Sequence, residues 1–273
     1  MKSILSIAFI IAAFYQAKSQ EIDTVQWKKR GEIKIGFEDV WSVDILGNIY
    51  STDDRVINKY DSIGKLKFSQ SIKSFGHLKD LQPINPMKVI GFSEEQQIIC
   101  VLDNTLTLSD ECVDLTRFDI GNASLIAVSG QSDKLWVLDQ LNSKLLLLSL
   151  NHSSQFQEVK NLQGILNMAE ILLIKEVNNE LFLADAKGKI YQFDVYGSLL
   201  SVYEHPGLKD ILVKDNNLII LTNNQLILSN MLSNEKKIMN LPMKGVSEVE
   251  LSGNYFYFRA ENKIVKYSLI LHK

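Results

Sequence analysis

Val40-Trp41-Ser42-Val43-Asp44-Ile45-Leu46-Gly47-Asn48-Ile49-Tyr50-Ser51-Thr52-Asp53, continued by Ile57-Asn58-Lys59-Tyr60-Asp61-Ser62-Ile63-Gly64, decides how this chain is read, because it returns. A worn copy stands at Glu180-Leu181-Phe182-Leu183-Ala184-Asp185 and Ile190-Tyr191-Gln192-Phe193-Asp194-Val195-Tyr196-Gly197. Repeats at a fixed period point to architectures built by stacking one supersecondary unit.

Working outward, an apolar residue four before the end of each second strand serves as an anchor: Ile49, Ile99, Leu135, Leu181, Ile219 and Phe256. Before each lies a short apolar run that reads as an inner strand: 40–43, 87–90, 125–128, 172–174, 211–213 and 249–251. Runs this short, closed by Asn, Gly, Asp or Ser, are strands buried on both faces rather than helices. After each anchor an Asp/Asn turn leads to a third strand of alternating polarity, as in Lys189–Phe193 and Lys263–Tyr267. One four-stranded blade of a propeller takes about 40–50 residues. The expected fold is therefore all-β, a six-bladed β-propeller of four-stranded antiparallel blades. Pro83, Pro86, Pro206 and Pro242 are expected in connections leading to inner strands, where a missing N–H costs no ladder bond. The last copy supplies three strands, and 31–37 alternates in polarity with no partner of its own. It is expected to pair with the last blade, closing the ring and removing two open edges.

The phrase from Val40 to Gly64 resembles the repeat of NHL-type and related six-bladed β-propellers: an inner strand ending in Asp, a Gly-Asn turn, an apolar-aromatic pair and a closing Asp. The copy from Leu172 to Gly197 is similar but carries Lys175 where the inner Asp stood. The resemblance implies the fold; fold alone implies little about function.

Lys2, the apolar stretch Ile4 to Tyr15 and Ala17-Lys18-Ser19 form a secretory signal, with cleavage expected after Ser19. Twelve apolar residues fall short of the ~20 needed to span a bilayer, and no Cys follows to carry a lipid. Residues 1–19 are thus read as leader and 20–273 as one propeller domain, periplasmic or secreted and monomeric, with no membrane span after cleavage. The composition, rich in Ile, Leu, Asn and Lys and poor in Pro and Gly, suits an AT-rich bacterial source. A formal charge of −3 without a basic stripe argues against nucleic acid. Cys100 is read on a second strand and Cys112 at the head of a fourth. Strands two apart lie ~9.6 Å from each other, beyond bridging distance, so two free thiols are expected.

No catalytic, cofactor or metal site assembles from the sequence. Asp53, Asp103, Asp139 and Asp185, with Asn223 in the fifth blade and Ala260 in the sixth, are read as turn formers that bond their own backbone. His77, His152, His205 and His272 lie apart, against a zinc site. Propeller lactonases hold a divalent ion with acids and amides from several inner strands. Here those strands offer Ser42, Asp44, Lys88, Ala127, Ser129, Lys175, Lys214, Glu248 and Glu250, which do not make that set. Val128–Ser132 lacks the glycines of a nucleophile elbow. Tyr255–Phe258 and Trp27, Trp41 and Trp136 are expected between blades, and three tryptophans are few for a quinone-cofactor propeller. The expected function is a non-catalytic scaffold for another envelope or secreted protein, using rim connections such as 53–55 or 73–82. A channel-centred lactonase-like or carbohydrate-active enzyme is the alternative.

Overall fold

The computed structural model describes residues 22–23, 26–36, 39–53, 55–71, 73–151, 156–160, 162–233 and 235–270. The expected leader, His152 and His272 lie outside them. Blade 1 runs Val40–Val43, Ile49–Thr52, Val56–Tyr60 and Leu66–Ser71 from the axis outward, all antiparallel. Blade 2 is built from Asp80–Asn85, Lys88–Ser93, Ile98–Asp103 and Val113–Asp114, and blade 3 from Ala123–Val128, Lys134–Asp139, Lys144–Ser149 and Phe156–Val159. Ile171–Val177, Glu180–Asp185, Lys189–Asp194 and Leu199–Glu204 make blade 4, and Asp210–Lys214, Asn217–Leu221, Gln225–Asn230 and Lys236–Asn240 make blade 5. Blade 6 takes Val246–Ser252, Tyr255–Ala260 and Lys263–Ile270 from the end of the chain and Gln26–Lys34 from its beginning. The molecule is a six-bladed β-propeller.

Local chemistry sets the hairpins. Asn178-Asn179 and Asp215-Asn216 adopt positive φ at both positions, and each pair alone joins an inner to a second strand, the geometry of a type I′ turn that matches strand twist. Asn and Asp tolerate that conformation better than other side chains with a Cβ.

The core is not one mass but six layers, one between each pair of neighbouring blades. Trp136, Leu138 and Leu147 of blade 3 pack on Ile174, Leu183 and Phe193 of blade 4. Equivalent clusters fill the 2–3, 5–6, 1–2, 6–1 and 4–5 interfaces. The aromatic run divides as period-two geometry requires: Phe256 and Phe258 enter the 5–6 layer and Tyr257 the 6–1 layer. Trp27 stands edge-on to Phe256 and Phe258, so all three tryptophans sit between blades.

Ring closure is as expected and more extensive. Gln26 to Lys34 pairs antiparallel with Ile270 to Lys263, with a bulge between Lys29 and Gly31. Ahead of it, Ile22–Asp23 adds a parallel fifth strand to blade 5, opposite Ile238 and Met239. The Trp27 indole N–H also donates to the Asn240 carbonyl of blade 5 at 2.8 Å. The beginning of the chain therefore latches the last two blades together.

Blade 2 corrects the sequence reading by one strand. The expected inner run 87–90 spans the first hairpin and the second strand, while the true inner strand is Asp80–Asn85. Pro83 accordingly lies within an inner strand, whose free edge faces the axis and asks for no N–H. Ile99 is on the third strand, and Val89 is the equivalent anchor, 40 residues after Ile49 and 46 before Leu135. The same shift corrects the cysteines. Cys100 is on the third strand, and the pairing of Val113 with Ile99 puts Cys112 directly across from it. Adjacent strands bring the two within reach, and they form a disulfide.

Candidate functional site: the central channel

Inner strands of all six blades enclose a lumen of about 850 Å³. Of the residues weighed from sequence, Ser42, Ala127, Lys175, Lys214, Glu248 and Glu250 line it. The other three do not. Lys88 is on a second strand, paired with Asp133 at 3.4 Å. Asp44 is buried in its own turn, accepting from Leu46 N, Asn48 N and Tyr50 Oη. Ser129 Oγ accepts from Gln131 N in the turn that follows.

Polar side chains tie blade to blade at every interface, most of them from the lining and one, Lys59, from the third strand of blade 1. Glu248 of blade 6 accepts from Trp41 Nε1 of blade 1 at 2.5 Å and pairs with Arg259 at 3.0 Å. Lys59 of blade 1, buried over the Tyr50 ring, donates to the carbonyls of Pro86 and Asn104 in blade 2. Burial pushes its ammonium below the ordinary lysine value. Gln82 of blade 2 donates to Ile126 O and accepts from Val128 N of blade 3. Glu176 of blade 4 takes Trp136 Nε1 and Gly130 N of blade 3. Lys175 of blade 4 reaches Asp210 of blade 5 at 3.3 Å, and Asp210 accepts from Val249 N of blade 6.

One group of charges exceeds this stapling role. Lys175, Asp210 and Glu250 converge from three consecutive blades, with Lys175 Nζ 3.5 Å from Glu250 Oε1. Asp80, across the ring on blade 2, accepts from Leu81 N and Gln82 Nε2. These side chains are ringed by protein yet open in part to the lumen; Lys175 is a quarter and Glu250 a third exposed. Burial pushes Asp80 up to about 6, against the pull of its hydrogen bonds and of Lys175 and Lys79. Burial likewise raises Glu250, offset in part by Lys175. For Lys175 burial opposes the charge, but Asp210 and Glu250 outweigh it and hold the ammonium above its ordinary value.

Asp80 and Asp210 were not among the sequence candidates. The first fell in the stretch read as a connection, and the second stood one residue before its predicted strand. A shared signal exists: Asp80-Leu81 and Asp210-Ile211 both open an inner strand with Asp before an apolar residue, and in both the carboxylate accepts the next N–H. Three of the four aspartates read as turn formers behave so, while Asp139, besides its own turn, accepts from Gly121 N and Asn122 N in the loop entering blade 3. Asp53 accepts from Arg55 N and Val56 N, Asp103 from Thr105 N and Thr107 N, and Asp185 from Lys187 N and Lys189 N. Asp103 does so after a third strand, and in blade 5 the turn is bonded through Thr222 Oγ1. Among the described residues no three His, Cys, Asp or Glu side chains converge to hold a metal.

No protein-family model and no curated protein matches the sequence. Solved structures do. The WD40 domain of Neurospora crassa Pan2 superimposes with a TM-score of 0.63 at 9% identity, covering 93% of this chain and 99% of that one. A catalytically inactive virginiamycin B lyase from Staphylococcus aureus, with quinupristin, gives 0.60 at 15% over 86% and 82%. BamB from Moraxella catarrhalis gives 0.56 at 10% over 91% and 99%. Identities this low carry the fold alone, and the fold is shared by proteins whose names include a lyase.

Proposed function

We propose that this chain is an exported, single-domain propeller, residues 20–273 after a leader of 1–19, that acts as a monomeric, non-catalytic scaffold for another envelope or secreted protein. The observation that carries the reading is the distribution of exposed apolar side chains. In a blade of alternating strands, the turns from inner to second and from third to outer strand fall on one face of the disc. Those turns present Ile45 (77% exposed), Leu46, Ile63 (84%), Met87, Tyr196 and Leu232. Leu141 and Ile165 are the large apolar counterparts on the opposite face. The first two turns are neighbours: a Cβ on Gly47, whose φ is +80°, would sit 3.3 Å from Ser62 Cβ. Ile45, Leu46 and Ile63 thus form one exposed apolar patch on this face, and such patches mark interaction surfaces. This patch favours the face opposite to the rim connections 53–55 and 73–79, while Asp80 and Gln82 belong to the lumen.

A photo-crosslinker at Ile63 or Tyr196 is expected to give a discrete adduct in cells, and one at Arg55 none. Ile45→Glu with Ile63→Glu should abolish the adduct while the far-ultraviolet spectrum stays unchanged. Equal adducts from both faces would refute the assignment. Export is supported by the leader and by the Cys100–Cys112 disulfide, which oxidising compartments favour. The mature protein should start at Gln20 on N-terminal sequencing, and Met1 retained on the cellular protein would exclude export. The NHL-type affiliation rests on the two matching phrases and belongs to the same proposal.

One observation favours a channel-centred enzyme instead: Lys175, Asp210 and Glu250 meet from three inner strands. Hydrolysis of a lactone panel that Glu250→Gln abolishes would establish that reading and displace the first.

A further inference from the structure

The outer strands of the six blades divide by charge. Those of blades 5, 6 and 1, consecutive around the ring, carry Lys236 and Lys237, then Lys28, Lys29, Arg30 and Lys34, then Lys67, against one acid, Glu32. Those of blades 2, 3 and 4 carry Asp114, Glu158 and Glu204 and no base. Blade 6 concentrates the effect. Glu32 is taken by Lys29, while Lys28, Arg30 and Lys34 are exposed and, among the described residues, have no ion-pair partner. Lys34 stands directly across from Lys263, and like charges opposite one another weaken a ladder. The backbone supplies a second observation. Gln26–Lys34 is, at nine residues, the longest of the outer strands, and it pairs on one side only, with Lys263–Ile270. Lysines can guard open edges against aggregation, but this chain does not use them so: the outer strand of blade 4 leaves Leu199, Leu200 and Val202 exposed with no base among them.

We propose that the free edge of Gln26–Lys34 takes an extended, acidic segment of a partner protein as an added strand. In this mode main-chain bonds to an open edge supply affinity, and alternate side chains supply specificity. Acids on the incoming strand face Lys28, Arg30 and Lys34 and relieve the opposition of Lys34 to Lys263. Nine residues span roughly 30 Å, room for a strand of ordinary length. The chain performs such an addition next door. Ile22–Asp23, a segment that includes an acid, pairs parallel with the outer strand of blade 5, which includes Lys236 and Lys237. The sequence reads as lacking a basic stripe because 28–34, 67 and 236–237 become neighbours only when the ring closes. The proposal rests on the scaffold reading of the molecule but uses a different surface, the flank of the disc instead of its apolar turn tips.

The probe is a fluorescein-labelled peptide, Thr-Glu-Val-Glu-Val-Glu-Val-Thr, whose binding to the native protein is read by anisotropy. One control replaces its glutamates with lysine. The other replaces its valines with proline, which keeps the charge but removes the N–H groups a ladder needs. The acidic peptide is expected to bind, less tightly as salt rises, and to slow amide exchange within residues 26–34; neither control should do so. Lys28→Glu with Lys34→Glu should weaken binding by about tenfold, and the neutral pair Lys28→Gln with Lys34→Gln by a smaller factor. The thermal midpoint of the charge-reversed protein should stay at or above the native one, because Lys34→Glu turns a repulsion with Lys263 into an attraction. Equal binding by the proline peptide would make the flank a surface for any polyanion and overturn strand addition. Equal binding by the lysine peptide, or affinity indifferent to the double substitutions, would overturn the proposal too. Lys28→Glu with Lys34→Glu should leave the adduct at Ile63 intact, and Ile45→Glu with Ile63→Glu should leave peptide binding intact, so failure of the docking reading and of this one are distinguishable.

Discussion

Removal of residues up to Lys34 is expected to abolish cooperative folding. The strand Gln26–Lys34 covers the edge of Lys263–Ile270 along its whole length, and without it that edge lies open to pairing with other chains. The segment also contributes Trp27 to the layer between blades 5 and 6 and Ile33 to the layer between blades 6 and 1. Two such side chains are worth about 3–6 kcal/mol by burial alone. Ladder bonds and the parallel pairing of Ile22–Asp23 with blade 5 add to that. Against a typical domain stability of about 5–15 kcal/mol the loss is decisive, because this strand supplies the backbone pairing that ties the beginning of the chain to the last blade. The truncated protein should be insoluble or lack a sigmoidal urea transition by tryptophan fluorescence. A synthetic peptide spanning 26–36, added in trans during refolding, should restore the transition. An unaltered midpoint in the truncated protein would mean that closure is ornamental.

The closing strand was legible because an alternating segment without a partner must go somewhere; the extra strand Ile22–Asp23 was not, since two residues carry no period. Five of the six inner strands stood out as apolar runs. The exception, Asp80–Asn85, reads Asp-Leu-Gln-Pro-Ile-Asn, polar at alternate positions because Asp80 faces the lumen and Gln82 reaches across to blade 3. The Asp at 103 then mimicked the close of a second strand and drew the anchor ten residues too far, taking the cysteines with it. Sequence patterns report burial well, and the inner strand of blade 2 breaks its apolar run with Asp80 and Gln82, both of which line the lumen. The convergence of Lys175 with Asp210 and Glu250 was illegible for a different reason. Each comes from a separate blade, and only ring closure sets their distances.

Asp139→Ala should cost about 3–5 kcal/mol, since it strands several buried donors at about 1–3 kcal/mol each, whereas Asp53→Ala should cost less than about 1 kcal/mol. Sequence places both in the same position of the repeat; the structure separates them by burial. Asp139 is fully inaccessible and accepts from Gly121 N, Asn122 N, Asn142 N and Asn142 Nδ2. Alanine would leave these donors facing a void no water can readily fill, and a stranded buried donor costs about 1–3 kcal/mol. Asp53 is exposed, and water replaces its carboxylate on Arg55 N and Val56 N. The pH dependence follows from the same bonds. Burial alone would raise the Asp139 carboxyl, but the N–H groups of Gly121, Asn122 and Asn142 outweigh it and hold it below the ordinary value. A depressed folded-state value means stability that is complete above the unfolded value, near 3.9, and is lost as pH falls through the folded one. The gap between native protein and Asp139→Ala in urea midpoint should therefore be constant from pH 7 to about 5 and begin to close below about 4. Equal, small losses for both substitutions at pH 7 would show that Asp139 only shapes its turn, as its counterpart does, and does not hold the loop entering blade 3 against the end of its second strand.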